Sequence, residues 1–578
     1  MAKKFKPTKI RLKKTDVKRK IFGMPRPLWV AIQWLLVLSA TVMTLTATLR
    51  GTPVQGGCGL AISFILYCWL VFYKRLPESI VSGFSLLSGL LALPFAAAAA
   101  RIFVAYFYFR FDKLSQIVLT FLFTSHAAPD AAHLARILSV SKGMVTVMTG
   151  FALWVAAYML IRWLRMALLP AIRSFTGTEI AYLAAAAILS FALIFVVYQQ
   201  TNLFWYPARD GQVVPYDAVF TTDTGVLMQT DAFVNLNAAE NDIRHPVFGL
   251  FVMPFGIIAS WVAFFFKGDI AVYAQTLAFQ QVVALLLSMI LISRLLRFKD
   301  MDQLCFLLLH LMSFPALLYI LNIEQYVFSL FWLSLYLYAV FHYEREQEGW
   351  QALSYAGATG SLLTSGFFIL FSSGRGGIRR ALLMMLRSLT TFVAVVTAFG
   401  QLPLLLESIE SIKRLSRFAT FAAEQSTLQA NAIQYLTFIR DCFLAPVASI
   451  QNALSPTWQS APVTEPDRIG IALLALALLG LLLNIKDKYS LLCFSWLLFS
   501  AVLLAGAGWG AKENGMILYT LYFSWALLSL IWKGLHRILR KVPWLRAAIA
   551  AAVFMVMAAV NIRALRELIR FGAAWYPR

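Results

Sequence analysis

Carboxylates are scarce in this chain: 27 Asp and Glu stand against 50 Lys and Arg among 578 residues, a formal net charge of +23. Charged residues of both signs make up only 13%, about half the share of an ordinary soluble domain, which excludes a cytosolic enzyme surface. The five cysteines, Cys58, Cys68, Cys305, Cys442 and Cys493, lack paired or metal-type spacing, so neither a disulfide framework nor a zinc site is supported and inert core thiols remain. No Gly-rich phosphate loop, His-Glu metal motif or repeat of fixed period occurs. The opening MAKKFKPTKIRLKKTDVKRK lacks the short apolar core and small-residue cleavage site of a signal peptide; residues 1–27 read as a basic cytoplasmic tail whose lysines suit anionic headgroups.

What the chain has instead is apolar length. Hydrophobic residues make up 60% and the mean hydropathy is +0.73. Stretches of about 17 to 25 apolar residues, each able to cross a hydrocarbon core of roughly 30 Å, recur about 13 to 14 times between Trp29 and Ile562. The expected fold is all-α, a polytopic transmembrane helical bundle with outer-face loops and juxtamembrane helices. Its basic residues fall in short clusters between apolar runs, which argues against nucleic acid as a partner and for membrane topology.

From a cytoplasmic N-terminus, the positive-inside rule orders the segments. Residues 28–165 form an N-terminal helical membrane module with crossings near 28–48, 57–73, 79–100 and 143–163. The stretch 101–142, with Arg101, Arg110, Asp112 and Lys113 among its aromatics, is left between an interfacial helix and a span. Arg162, Arg165 and Arg173 mark a cytoplasmic turn, so a helix near 180–199 runs outward and residues 200–270 form an outer loop. VFGLFVMPFGIIASWVAFFFKGD reads as a juxtamembrane or re-entrant helix, because a crossing there would place SRLLRFKD outside. Spans near 273–296 and 303–321 follow, with NIEQY at the outer end of a hairpin. Residues 352–373, broken at Thr364-Ser365-Gly366, read as two half-helices dipping to the outer side. The module 175–404 closes with a span near 381–404, residues 405–467 form a second outer loop, and 468–578 hold the last four crossings, with GWGAKENG outside. Trp205, Tyr206 and Trp509 are expected in the interfacial aromatic belt.

The acids that exist gather in the outer loops. TTDTGVLMQTDAFVNLNAAENDIRHP, residues 221–246, carries Asp223, Asp231, Glu240, Asp242, Arg244 and His245. Hydrocarbon satisfies neither carboxylate nor open backbone, so this run lies in water or lines a protein cavity. Glu324, and Lys512 with Glu513, share the same expected face. A divalent cation, Mg²⁺ or Mn²⁺, bridging loop carboxylates and a phosphate is compatible with these residues, although their spacing does not demand one.

The order and sidedness of these elements resemble the GT-C superfamily of polytopic glycosyltransferases, particularly the branch of protein O-mannosyltransferases and bacterial aminoarabinose transferases. Thr222-Asp223-Thr224 matches the acidic motif after the module's first helix, and His245-Pro246 the His-Pro element opening a juxtamembrane helix. SRLLRFKD and NIEQY match a span ending in a basic turn and its hairpin, and TGSLLTSGFF the broken short-helix pair. The likeness covers residues 175–535. It departs in two places: Asp223 is followed by Thr224, so a second carboxylate has to come from elsewhere, and Thr364 or Ser365 stands where a lysine is often found.

The resemblance implies transfer of a sugar, on the outer membrane face, from a polyprenyl-phosphate carrier to an acceptor hydroxyl on a glycan, lipid or protein. It implies Asp223 as general base, with Asp231, Glu240 or Asp242 orienting hydroxyls, and Arg244, His245 and Lys512 holding phosphate; Glu324 and Glu513 complete the expected substrate-binding set. A bacterial plasma membrane is the expected location. The rival readings are a polysaccharide polymerase, for which Lys413, Arg414, Arg417 and Arg440 in the second outer loop would serve, and a flippase-like transporter of lipid-linked glycans. A transporter places its ionisable residues within spans near the midplane, whereas these cluster in loops.

Overall fold

The computed structural model describes residues 26–48, 53–74, 77, 80, 84–122, 131–205, 218–236, 244–298, 300–342, 348–372, 378–402, 427–452, 455–510 and 512–578. The chain is an all-α polytopic membrane bundle, 80% helical, with 11 helices among the described residues long and apolar enough to cross a membrane. A bent pair of helices and two shorter apolar helices, Gln325–Phe341 and Arg468–Leu483, make up the difference from the expected count.

The N-terminal module is α1 (Arg26–Thr48), α2 (Pro53–Cys68), α3 (Leu86–Leu122) and α4 (Ala131–Arg173). Residues 101–122 prolong the third membrane helix, whose crossing is Leu86–Tyr106, and the next crossing is Leu138–Arg162. The stretch whose character was open is thus the continuation of two long helices that pack as an antiparallel pair; residues 123–130 lie outside the described residues.

The second module runs α5 (Gly177–Tyr198), α6 (Thr224–Gln229), α7 (Phe248–Phe265), α8 (Ile270–Leu295), α9 (Asp300–Leu311), α10 (Phe314–Leu321), α11 (Gln325–His342), α12 (Glu348–Ser361) and α13 (Ile378–Ala398). The remainder is α14 (Leu428–Asp441), a hairpin of β1 (Ala448–Gln451) and β2 (Thr457–Ser460), then α15 (Arg468–Leu483), α16 (Lys488–Ser500), α17 (Thr520–Ile538) and α18 (Pro543–Trp575). Several of the scarce acids begin helices. Asp269, Asp467 and Asp487 each accept a hydrogen bond from a backbone N–H in the first turn, and Thr176 with Glu179 forms a capping box.

The α7 helix, expected to be juxtamembrane or re-entrant, is long and apolar enough to cross and pairs antiparallel with α8 through a turn holding positive-φ residues Lys267 (60°) and Gly268 (76°). Arg294 near the end of α8 meets Glu179 at the start of α5, a placement that a full crossing by α7 would not allow. Two expectations change. The expected span 303–321 is instead α9 and α10, bent by 61°. Asn561 of α18 holds the bend by donating to the carbonyls of Met312 (2.8 Å) and Phe443 (2.7 Å). The broken pair is present, but its break is at extended Leu362 rather than at Thr364–Gly366: α12 turns into a 3-10 helix, Leu363–Phe371. Gln351 donates to Ser372 O (2.7 Å) and Tyr355 to Gly366 O (3.2 Å), so the two arms fold back side by side.

Polar side chains sort to the two ends of the bundle. At one end Arg294 makes a bidentate contact with buried Glu179 (2.7 and 2.6 Å), Arg546 grips Asp302 (2.9 and 2.7 Å), and Lys533 meets Asp487. At the other, Tyr198 donates to Leu321 O (2.6 Å), Asn202 N to Tyr576 O (2.9 Å), and Trp458 N of β2 to Ala218 O (2.7 Å). The Asp223 loop, the α10–α11 turn, the hairpin and the C-terminus of α18 therefore share one end. SRLLRFKD, the α15–α16 turn and the α17–α18 turn share the opposite one. This is the relative sidedness expected from charge.

Candidate functional site

The site assembles where the loop after α5 meets the α10–α11 turn. The loop is held from behind, because Phe220 N donates to Trp458 O (2.8 Å) and Trp458 N returns to Ala218 O. At and just after these contacts Phe220 and Thr221 adopt φ values of 50° and 57°, a conformation that costs energy without glycine and that surrounding contacts must impose. The consequence is a tight corner aiming Thr222, Asp223 and Thr224 at the α10–α11 turn.

Amides and carboxylates then interlock. Asn322 Nδ2 donates to Thr222 Oγ1 (2.7 Å) and Thr224 Oγ1 to Ile323 O (2.8 Å). Asp223 N donates to Glu324 Oε2 (2.9 Å), while Gln325 Nε2 donates to Asp223 Oδ2 (3.0 Å). Glu324 also accepts from Gln325 N (3.0 Å), and its own N–H donates to Gln281 Oε1 (2.8 Å). Gln281 of α8 completes the frame by donating to Tyr319 O and Asn322 O, both at 2.6 Å. Glu324 is 0% exposed, with each carboxylate oxygen taken by a backbone N–H. It is a buried structural acceptor. Asp223 is only half-buried, so it alone of the pair can meet a ligand.

A second wall comes from the broken pair and the C-terminal helices. His245, 1% exposed, shares a 2.6 Å hydrogen bond with Ser361 O through Nδ1 and packs edge-on to Tyr326 at 6.1 Å. Leu363 N donates to Arg244 O (2.7 Å) and Val247 N to Gly360 O (2.9 Å). Asp223 and Arg244 both lie within electrostatic reach of the Tyr326 and Tyr519 hydroxyls, whose rings meet edge-on at 5.7 Å. A carboxylate and a guanidinium therefore border the same pair of phenols. Trp509 joins them by donating from Nε1 to Tyr519 Oη (2.8 Å). The belt expectation changes for Trp205, which is buried against Tyr198. Tyr206 lies outside the described residues.

The remaining candidates divide. Asp231 stands apart, beside Tyr106 and Tyr273, with a φ of 52° and a carboxyl held above its ordinary range by burial. Glu240 and Asp242 lie outside the described residues, as do Lys413, Arg414 and Arg417. Lys512 and Glu513 sit in the 3-10 helix Lys512–Tyr519 that leads to Tyr519, but their side chains are outside what is described. Arg440 is engaged elsewhere, with Asp441 and Asp467, each at 2.7 Å. No group of three or more His, Cys, Asp or Glu side chains able to hold a metal ion occurs among the described residues.

Sequence reasoning missed Gln281, Asn322, Gln325 and the tyrosines. An amide inside an apolar run is the one signal available for Gln281, since lipid offers it no partner. Searched against protein-family models, curated proteins and solved structures, the chain matches none.

Proposed function

We propose that this protein is a membrane glycosyltransferase that moves a sugar from a polyprenyl-phosphate carrier to an acceptor hydroxyl, with Asp223 as general base. One observation carries the reading: the half-buried Asp223 carboxylate is pinned by Gln325 and backed by buried Glu324, beside Arg244 and two tyrosines, at one end of a membrane bundle. Glu324 supplies the second carboxylate that the Thr222-Asp223-Thr224 motif lacks.

The chemistry asks for such a pairing. As the acceptor oxygen bonds to the anomeric carbon, its proton passes to a carboxylate oxygen of Asp223. The anomeric carbon–oxygen bond to phosphate breaks on the far side, inverting the centre, and the electron pair leaves on the phosphate. A positioned base contributes on the order of 100-fold to 10,000-fold. Charge gathering on the departing phosphate is met by Arg244, fixed through Leu363 and the broken pair, and by tyrosine hydroxyls held in place before the reaction begins. His245 Nδ1 is engaged by Ser361 O, so the ring sets the corner that presents Arg244.

The test uses purified protein and a panel of polyprenyl-phosphate-linked radiolabelled sugars, scoring release of the free polyprenyl phosphate. Turnover of at least one donor, falling about 100-fold or more in Asp223→Asn, is expected. Turnover of none, or a variant within a few-fold of wild type, contradicts the assignment.

A further inference from the structure

A crevice of about 440 Å³ opens on the side of the bundle between α15, α17 and α18. It exists because α15 and α17 close tightly on each other, with a Cβ on Gly480 only 2.1 Å from Leu530 O, while α18 leans on α9 and α10 instead. Its walls include Leu476 and Leu479, Leu535 and Ile538, and Val553 and Val556. On α17 the lining runs from Leu528 to Ile538, about 15 Å of helix at 1.5 Å per residue. Ile469 in the first turn of α15 and Phe443 carry the lining further, toward the Arg440–Asp467 pair, so the slot runs along the helices for more than one leaflet of a hydrocarbon core roughly 30 Å thick.

One mouth of the crevice is basic. Ile538 lies in the last turn of α17, flanked by exposed Arg537, Arg540 and Lys541, and Lys486 follows the nearby end of α15. Arg546 and Lys533, which share this end, are committed to Asp302 and Asp487; no ion pair engages Arg537, Arg540 or Lys541 among the described residues. Trp544, 69% exposed, stands beside them as an interfacial anchor.

We propose that this crevice is a binding site for an anionic glycerophospholipid, its phosphate at Arg537, Arg540 and Lys541 and one acyl chain between α15, α17 and α18. Two features select this occupant: a narrow apolar slot running along the helices takes a single acyl chain, and a cationic rim at headgroup level prefers phosphate without a compensating amine. The headgroup end of the site lies at the bundle end opposite Asp223, and no residue of the Asp223 network lines the crevice, so it is distinct from the candidate catalytic pocket and stands whether or not the protein transfers sugar.

The experiment is native mass spectrometry of the full chain released from nanodiscs of equal parts phosphatidylglycerol and phosphatidylcholine. Wild type is expected to retain phosphatidylglycerol several-fold over phosphatidylcholine. The triple variant Arg537→Gln, Arg540→Gln, Lys541→Gln should fall to parity, and Ala552→Trp, which fills the slot, should lower retention of both lipids. A control triple at the other end of α18, Arg563→Gln, Arg566→Gln, Arg570→Gln, should keep the wild-type preference and shows whether removing three charges alone disturbs the bundle. Parity in wild type, an equal loss in the control, or displacement of phosphatidylglycerol by an equal amount of polyprenyl phosphate would overturn the proposal.

Discussion

Asp223 and Glu324 differ in exposure, so their substitutions should differ in kind. Glu324→Gln puts an amide donor against the N–H of Asp223 or Gln325; an opposed buried donor costs about 1–3 kcal/mol, and the loop carrying Asp223 shifts with it. The variant should unfold at lower temperature in detergent and lose donor turnover, whereas Asp223→Asn should lose turnover at near wild-type stability. A Glu324→Gln protein as stable and active as wild type would show that the buried acceptor does not hold the corner. Asp231→Asn, which tolerates the left-handed conformation, should retain turnover within a few-fold, because Asp231 faces Tyr106 and Tyr273 rather than the Asp223 network. Asp441 offers a pH test: burial, opposed by Arg440, pushes its carboxyl up to about 7. Unfolded, it titrates at about 4, so between these values the folded state binds the extra proton and stability falls as pH rises. Asp441→Asn should flatten that fall in a thermal-unfolding series from pH 4 to 8; an unchanged slope would refute it. At this scale charge made Asp223, Arg244, His245 and Glu324 visible in the sequence. The neutral amides Gln281, Asn322 and Gln325 left no such mark, and only contact geometry assigns them.

Small residues decide how close the helices come. A Cβ on Gly360 would lie 2.3 Å from Val247 Cγ2, so Gly360→Ala must push apart the broken pair and the segment bearing Arg244 and His245. Overpacking of this kind costs about 1–3 kcal/mol, and turnover should fall more than expression; unchanged turnover would detach the broken pair from the site. The pair itself was legible in the sequence, but the break falls at Leu362, where no turn residue marks it. The bend between α9 and α10 carried a signal in Ser313-Phe314-Pro315, since proline in the first turn begins a helix, yet the apolar run around it reads as continuous. Length and hydropathy register whether a segment can cross, not whether an amide such as Asn561 will hold it bent.

The whole molecule has two chemically different ends, and a polyprenyl-linked donor on the outer face requires the Asp223 end to point away from the cytoplasm. Scattered lysines and arginines made the difference between the two ends readable in advance; the structure adds that the Asp223 loop and the β1–β2 hairpin converge on one end through the Trp458 pairing. The N-terminal module docks on the end of α13, with Thr44 and Tyr67 each donating to Ala398 O at 2.6 Å. The most direct check is cysteine labelling in intact cells, in a cysteine-free background, with a membrane-impermeant maleimide. Thr224 is 2% exposed and a poor reporter, so Val447, 71% exposed beside the hairpin, and Lys488 at the opposite end are the positions to substitute. Val447→Cys should label from outside and Lys488→Cys only after permeabilisation. The reverse pattern would place Asp223 in the cytoplasm and contradict transfer from a carrier on the outer face.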